Sequence, residues 1–136
     1  MDLSISKTNI GSEDQSWLGS AHGTNAAQTI TLDVSTFTKA THYPDGYLKS
    51  GLPLMKLSSG AYGLHTGPAP EAGEQEEQEA TPELAGFLFT TTRAPQTAST
   101  PIGAALFEHG RVKVANLPVT VDPAVLATAA GRIIFA

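Results

Sequence analysis

The sequence contains no cysteine, little charge and no long apolar run, and each absence narrows what the protein can be. Without cysteine, neither a disulfide framework nor a thiolate metal site can form, so stability must come from packing or from self-association. Only 15% of the residues are charged and the net charge is −5, so we expect no nucleic-acid partner, since nothing basic is in surplus. No stretch of about 18 apolar residues occurs and no secretory signal opens the chain, so we expect no membrane partner and no export.

What the chain does contain is glycine, proline and enough apolar side chains for one core. Its 136 residues are 40% hydrophobic and include 13 glycines and 9 prolines, a balance that favours short strands joined by many turns. We predict a mainly β protein, a small compact β-sandwich or barrel-like domain with one short C-terminal helix and an extended N-terminal arm. The predicted boundaries are residues 1–27 for the arm and 28–136 for the domain.

The first 27 residues are rich in Ser, Asn, Gly and Gln, and their few apolar residues follow no strand or helix period. We therefore predict an arm outside the core. Trp17 beside Leu18 has two interpretations. It is an anchor that docks on a partner, because aromatic residues dominate binding hot spots, or it folds back over its own domain.

Six segments carry strand signals. In residues 28–37, Ile30, Leu32 and Val34 alternate with polar residues, as in a half-buried strand, with Asp33 on the polar face. Residues 52–57 and 61–65 flank a short Gly-containing connection and predict a hairpin, in which Pro53 indicates an edge strand or a strand start. Residues 84–91 predict a buried strand. Residues 102–106 and 112–114 predict two strands joined by a tight hairpin turn at His109 and Gly110.

The C-terminal region carries the signals of one helix. Asp122 is placed as an N-cap, Pro123 as the first helical residue and Gly131 as a stop, which predicts a helix of about eight residues. Residues 133–135 then form a final strand or an apolar tail.

An acidic stretch at residues 66–83 holds six of the 13 acidic residues and no lysine or arginine. Such a stretch cannot bury enough apolar surface to order itself, so we predict a mobile surface loop. The alternative is a site for a cation or a basic partner, although the stretch lacks the alternating ligands of an EF-hand.

No catalytic or cofactor motif is present. The histidines at 22, 42, 65 and 109 have no paired metal-ligand spacing, and neither a Gly-x-Ser-x-Gly elbow nor a glycine-rich phosphate loop occurs. We therefore predict a protein that is not an enzyme and has no catalytic residues, no metal and no cofactor.

The order of several segments carries a family resemblance. These are residues 17–24 (WLGSAHGT), 29–38 (TITLDVSTFT), 51–54 (GLPL) and 101–119 (PIGAALFEHGRVKVANLPV). Together they resemble the head decoration proteins of actinobacterial phages, which are similar in turn to the lambda-type capsid decoration family. The likeness covers most of residues 15–120, and its motifs are structural.

The resemblance implies a structural virion protein, made in the host cytoplasm, that decorates the exterior of the capsid. Its implied partners are the major capsid protein and two further copies of itself, in a trimer at three-fold and quasi-three-fold positions that stabilises the head against DNA pressure. Expected capsid contacts in the arm are Trp17, Leu18, His22 and Thr24. The expected strand positions, as scaffold or contact, are Ile30, Leu32 and Val34. The alternatives are another virion component, such as a tail or head-fibre module, and a small non-viral β-rich binding module.

Overall fold

The computed structural model describes Leu3, Ile5 and residues 12–68 and 80–136 of the chain. These residues form a mainly β structure, as the sequence predicts. They also form two short α-helices, one more than predicted, and three 3₁₀ turns. The strands are β1 (Gln28–Leu32), β2 (Tyr47–Leu48), β3 (Pro53–Lys56), β4 (Tyr62–Leu64), β5 (Gly86–Leu88), β6 (Thr92–Arg93), β7 (Ile102–Phe107), β8 (Gly110–Val112) and β9 (Ile133–Phe135). The helices are α1 (Lys39–His42) and α2 (Pro123–Ala127), and the 3₁₀ turns are Thr24–Ala26, Val34–Thr36 and Val114–Asn116.

Five strands close into a barrel in the order β1-β4-β3-β5-β7, with β7 returning to β1. The β1–β7 seam is antiparallel and runs from Gln28 opposite Leu106 to Leu32 opposite Ile102. Strands β1 and β4 are parallel, with Leu32 opposite Tyr62. The barrel-like form of the predicted fold is therefore confirmed. A closed sheet has no unpaired edges, which removes one route to aggregation.

Strand β1 follows its sequence pattern over five residues. Ile30 and Leu32 are buried in the barrel while Thr29 and Thr31 are exposed, as period-two alternation requires. The strand ends earlier than predicted, because the Asp33 carboxylate accepts a hydrogen bond from the Ser35 backbone N–H at 3.1 Å and starts a 3₁₀ turn. Val34 is buried in that turn, so its placement in a strand is wrong.

The hairpin predicted from residues 52–57 and 61–65 is confirmed by β3 and β4, which pair with Leu54 opposite Leu64. Strand β3 also pairs with β5 on its other side, so it is not an edge strand. Pro53 is the first residue of β3, the second of its two predicted positions. A proline is tolerated there although it has no backbone N–H to donate. The buried strand predicted within residues 84–91 is β5, all three of whose residues are buried.

The hairpin predicted at His109 and Gly110 is wrong. Strand β8 does not pair with β7; it pairs in parallel with β9. The reason is that both edges of β7 are already taken, by β1 and by β5, in the closed barrel. Gly110, with a φ of 140°, turns the chain away from the barrel at this point.

Helix α2 is confirmed at the predicted place, although it is five residues long and not about eight. The Asp122 carboxylate accepts a hydrogen bond from the Ala124 N–H at 2.8 Å, and Pro123 is the first helical residue. Gly131 has a φ of 97° and leads into β9, the predicted final strand.

The apolar side chains form two cores that share strands β5 and β7. One fills the barrel and contains Ile30, Leu32 and Leu54. The second lies outside the barrel, where α2, β8 and β9 cover the outward-facing Phe87 and Phe107. The centre of this second core is Trp17, from the N-terminal segment that the sequence places outside the core.

The prediction of an unpacked arm through residue 27 is therefore wrong for residues 12–19, which we call the strap. The strap crosses the second core and runs antiparallel to β8, with the Gly19 N–H donating to the Arg111 carbonyl at 2.8 Å. The Lys113 N–H donates in turn to the Trp17 carbonyl at 2.7 Å. Strand β9 pairs with the other side of β8. The strap therefore pairs with the remaining side and adds a third strand-like element to the β8–β9 sheet.

The predicted acidic loop falls mostly on residues 69–79, which lie outside the described residues. Both ends of the stretch are fixed. The His65 ring contacts the Pro82 carbonyl at 2.7 Å through Nε2 and accepts from the Gly67 N–H at 3.0 Å through Nδ1. Glu83 forms an ion pair with Arg132 at 3.2 Å.

Candidate functional site

Trp17 is an internal anchor of the domain. Its side chain is 1% exposed, and its ring lies 5.8 Å from Phe87 and 5.3 Å from Phe107 between centroids. The indole N–H donates to the Ser50 hydroxyl at 3.0 Å. Of its two interpretations, the structure supports the one in which it covers its own domain, because a side chain that is 1% exposed offers no surface to a capsid protein.

The other three arm residues differ in what they expose. Leu18 is half-buried and bridges to Val112, and the Thr24 hydroxyl donates to the Ala21 carbonyl at 2.7 Å within a turn. His22 is exposed, with its ring 4.7 Å from that of His109. Of the four predicted arm contacts, only His22 is exposed.

Ile30, Leu32 and Val34 are all buried within the barrel. Of the two roles that the sequence leaves open for them, scaffold and contact, this position fits the scaffold. Their burial contributes stability of about 1.5–3 kcal/mol per side chain.

The hydroxyl of Ser50, the buried serine beside the second core, makes structural hydrogen bonds. The Ser50 hydroxyl donates to the Phe89 carbonyl at 2.7 Å while it accepts from the indole of Trp17, so no general base contacts it. Within residues 12–68 and 80–136, no group of three or more His, Asp or Glu side chains is arranged to hold a metal ion. Among the described residues there is therefore no cluster that could hold a metal ion, and the Ser50 hydroxyl has no base beside it.

A polar recess of about 360 Å³ lies beside the strap, lined among others by Asp14, Asp45, Tyr47 and Lys49. Its carboxylates serve turns, because Asp14 accepts from the Ser16 N–H at 3.0 Å and Asp45 from the Tyr47 N–H at 3.2 Å. The hydrogen bonds from Ser16, backbone first and hydroxyl second, lower the pKa of Asp14 below its ordinary value of 3.8. A lowered pKa keeps this carboxylate ionised and unsuited to donate a proton.

The exposed apolar residues are the stronger candidates for a contact surface. Leu3, Ile5 and Ile134 are 83%, 97% and 59% exposed, and they are the large apolar side chains that the described residues leave in water. Leu3 and Ile5 precede the strap, and Ile134 lies on β9. Ile134 is not among the predicted contacts, although the alternation of β9, with Ile133 buried beside it, is the signal that identifies it.

None of the helices formed by the described residues is long and apolar enough to span a membrane. Comparison of the chain with known protein families, with curated proteins and with solved structures gave no match.

Proposed function

We propose that this protein is a structural virion component that binds as a trimer to the outside of an expanded phage capsid. It occupies three-fold and quasi-three-fold positions and clamps neighbouring shell subunits against the pressure of packaged DNA. The resemblance of residues 17–24, 29–38, 51–54 and 101–119 to head decoration proteins supports this function. The barrel and its second core suit a rigid plug that carries contact elements on its surface.

The observation that carries the proposal is the exposure of Leu3 and Ile5 ahead of an anchored strap. Two residues apart, they share one face when the chain is extended, as a strand added to a capsid protein requires. The capsid-binding arm is thereby redefined as residues 1–11, because residues 12–19 belong to the domain. Eleven extended residues reach about 36–40 Å from their root, far enough to cross onto a neighbouring subunit.

Three arms are needed because one arm binds weakly. Fixing each backbone residue costs about 1–2 kcal/mol, whereas burying Leu3 and Ile5 returns only about 1.5–3 kcal/mol each, besides the backbone hydrogen bonds. A trimer presents three arms at high effective concentration, which raises binding by roughly 10²- to 10⁴-fold. Anchoring at Trp17 keeps the root of each arm in a fixed position.

The test is to mix the purified protein with undecorated expanded capsids and to count bound copies by sedimentation and gel densitometry. The full chain is compared with one lacking residues 1–11 and with the double variant Leu3→Ser, Ile5→Ser. Ser4→Ala with Ser6→Ala is the matched control, since it changes the alternate positions of the same segment. We expect the first two to lose binding and the control to keep it.

Cryo-electron microscopy of the decorated particles separates the proposed function from its alternatives. Decoration places added density at three-fold positions on the shell, whereas a tail or head-fibre module places it elsewhere. A protein that is monomeric by sedimentation equilibrium and leaves expanded capsids bare would refute the proposal and favour a non-viral binding module.

A further inference from the structure

The face of the β8–β9 sheet that points away from the second core is both basic and apolar. Arg111 and Lys113 are two residues apart and exposed, so they share this face. Ile134 is opposite Arg111 in the β8–β9 register and is 59% exposed. We call Arg111, Lys113 and Ile134 the outer face.

The two cations of the outer face have no acidic partner among residues 12–68 and 80–136. The ion pair formed there is Arg132 with Glu83, elsewhere on the domain. The aliphatic stem of Arg111 packs over Gly19, where a Cβ atom would collide with the Arg111 Cγ. The chain has a net charge of −5, so two cations without an acidic partner give this small sheet a charge opposite to that of the whole protein.

The outer edge of β9 is occupied at Ile133, whose N–H donates to the Ala129 carbonyl at 3.2 Å and which bridges to Ala130, and it is open at Phe135. Strand β9 pairs with β8 on one side, where the Ala136 N–H donates to the Val112 carbonyl at 2.8 Å and the Val114 N–H donates to the Ala136 carbonyl at 3.1 Å. Since alternate residues of a strand direct their N–H and C=O groups to opposite sides, those of Phe135 point away from β8. An edge with outward backbone groups can accept an added extended strand.

We infer that the edge of β9 and the outer face together dock an extended acidic segment of the shell protein. This inference rests on the proposed function and names a second contact besides the arm. The segment pairs with the backbone of Phe135, lays an apolar side chain on Ile134 and directs carboxylates towards Arg111 and Lys113. Strands lie about 4.8 Å apart, so a glutamate on the added strand and an arginine on β8 can meet across β9.

The test reverses the two charges, Arg111→Glu with Lys113→Glu, and measures binding to expanded capsids. The matched control is Lys39→Glu with Lys49→Glu, which reverses two exposed lysines away from this sheet and gives the same net charge. A milder pair, Arg111→Gln with Lys113→Gln, and the single variant Ile134→Ser guard against a folding defect, which the thermal midpoint reports. Binding is measured at low and at high salt for every variant.

We expect the reversal to weaken capsid binding by about tenfold or more and the control to change it little. Added salt should weaken the wild type and barely affect the reversed variant, because screening removes an attraction that the variant lacks. If the wild type binds, and the reversed and glutamine variants fold and bind equally well, the inference is wrong and the proposed function stands. A wild type that never binds refutes both. A reversal that alters only the oligomeric state would show that the surface joins copies of this chain, and the inference would be wrong.

Discussion

Replacing Trp17 by alanine tests whether the strap belongs to the domain. The indole is 1% exposed and packs on Phe87 and Phe107, so its removal leaves a cavity at the centre of the second core. Truncations of this kind cost about 3–5 kcal/mol. The lost hydrogen bond adds little, because the Ser50 hydroxyl keeps its bond to the Phe89 carbonyl at 2.7 Å. We therefore expect the free energy of unfolding to fall by about 4 kcal/mol.

Urea unfolding followed by far-ultraviolet circular dichroism is the suitable assay, since Trp17 is the sole tryptophan and its fluorescence disappears with it. With a slope of about 2 kcal/mol per molar urea, the expected loss moves the midpoint down by about 2 M. Trp17→Phe is the matched variant. It keeps an aromatic ring but loses the N–H donor and some volume, so it should cost about 1–2 kcal/mol.

If the strap is instead a peripheral arm, the expected loss of stability in Trp17→Ala is much smaller. A tryptophan on a peripheral arm contributes within about 0.5 kcal/mol to folding, which is a midpoint change of about 0.25 M. If Trp17→Ala shifts the midpoint by no more than this, the strap is not part of the cooperative unit and the arm must be extended again through residue 27.

Three further predictions follow from single contacts. Gly86→Ala should lower the thermal midpoint by several degrees, because Gly86 has a φ of 157° and an added Cβ would collide with the Phe107 carbonyl; an unchanged midpoint would contradict this. Asp122→Ala should cost about 1 kcal/mol in urea unfolding by removing the N-cap of α2, while Asp122→Asn should retain most of it. The Asp14 carboxylate, whose pKa is lowered by Ser16, should titrate below 3.8 by NMR. Because its folded pKa lies below the unfolded one, its stabilising contribution is present above about pH 4 and lost as pH falls through the folded pKa.

Local patterns in the sequence predicted the elements that are determined by residues close to them along the chain. The alternation around Ile30 and Leu32 predicted β1, because the face that carries these two residues is buried whichever strands pair with it. The cap, proline and glycine order at Asp122, Pro123 and Gly131 predicted α2, because these signals act within one turn of the backbone.

The features that sequence reasoning missed depend on distant parts of the chain. The turn at Gly110 looks like a hairpin, but whether β8 can pair with β7 depends on which edges β1 and β5 have already occupied. Trp17 has no periodic neighbours, and its partners lie 33 residues away and further, at Ser50 and on β5 and β7. A local window therefore could not show that an isolated tryptophan in a polar segment fills a core.

The position of Trp17 also determines how the proposed contacts must be tested. Through the Lys113 N–H and the cover that Arg111 gives Gly19, the strap fixes β8 as well as the root of the arm. Both proposed capsid contacts thus depend on the same second core. A Trp17 variant that fails to bind capsids would consequently report only a loss of folding. Changes at Leu3, Ile5 or the exposed outer face remove contact groups from outside both cores, so a folded variant that loses binding at either place identifies a contact.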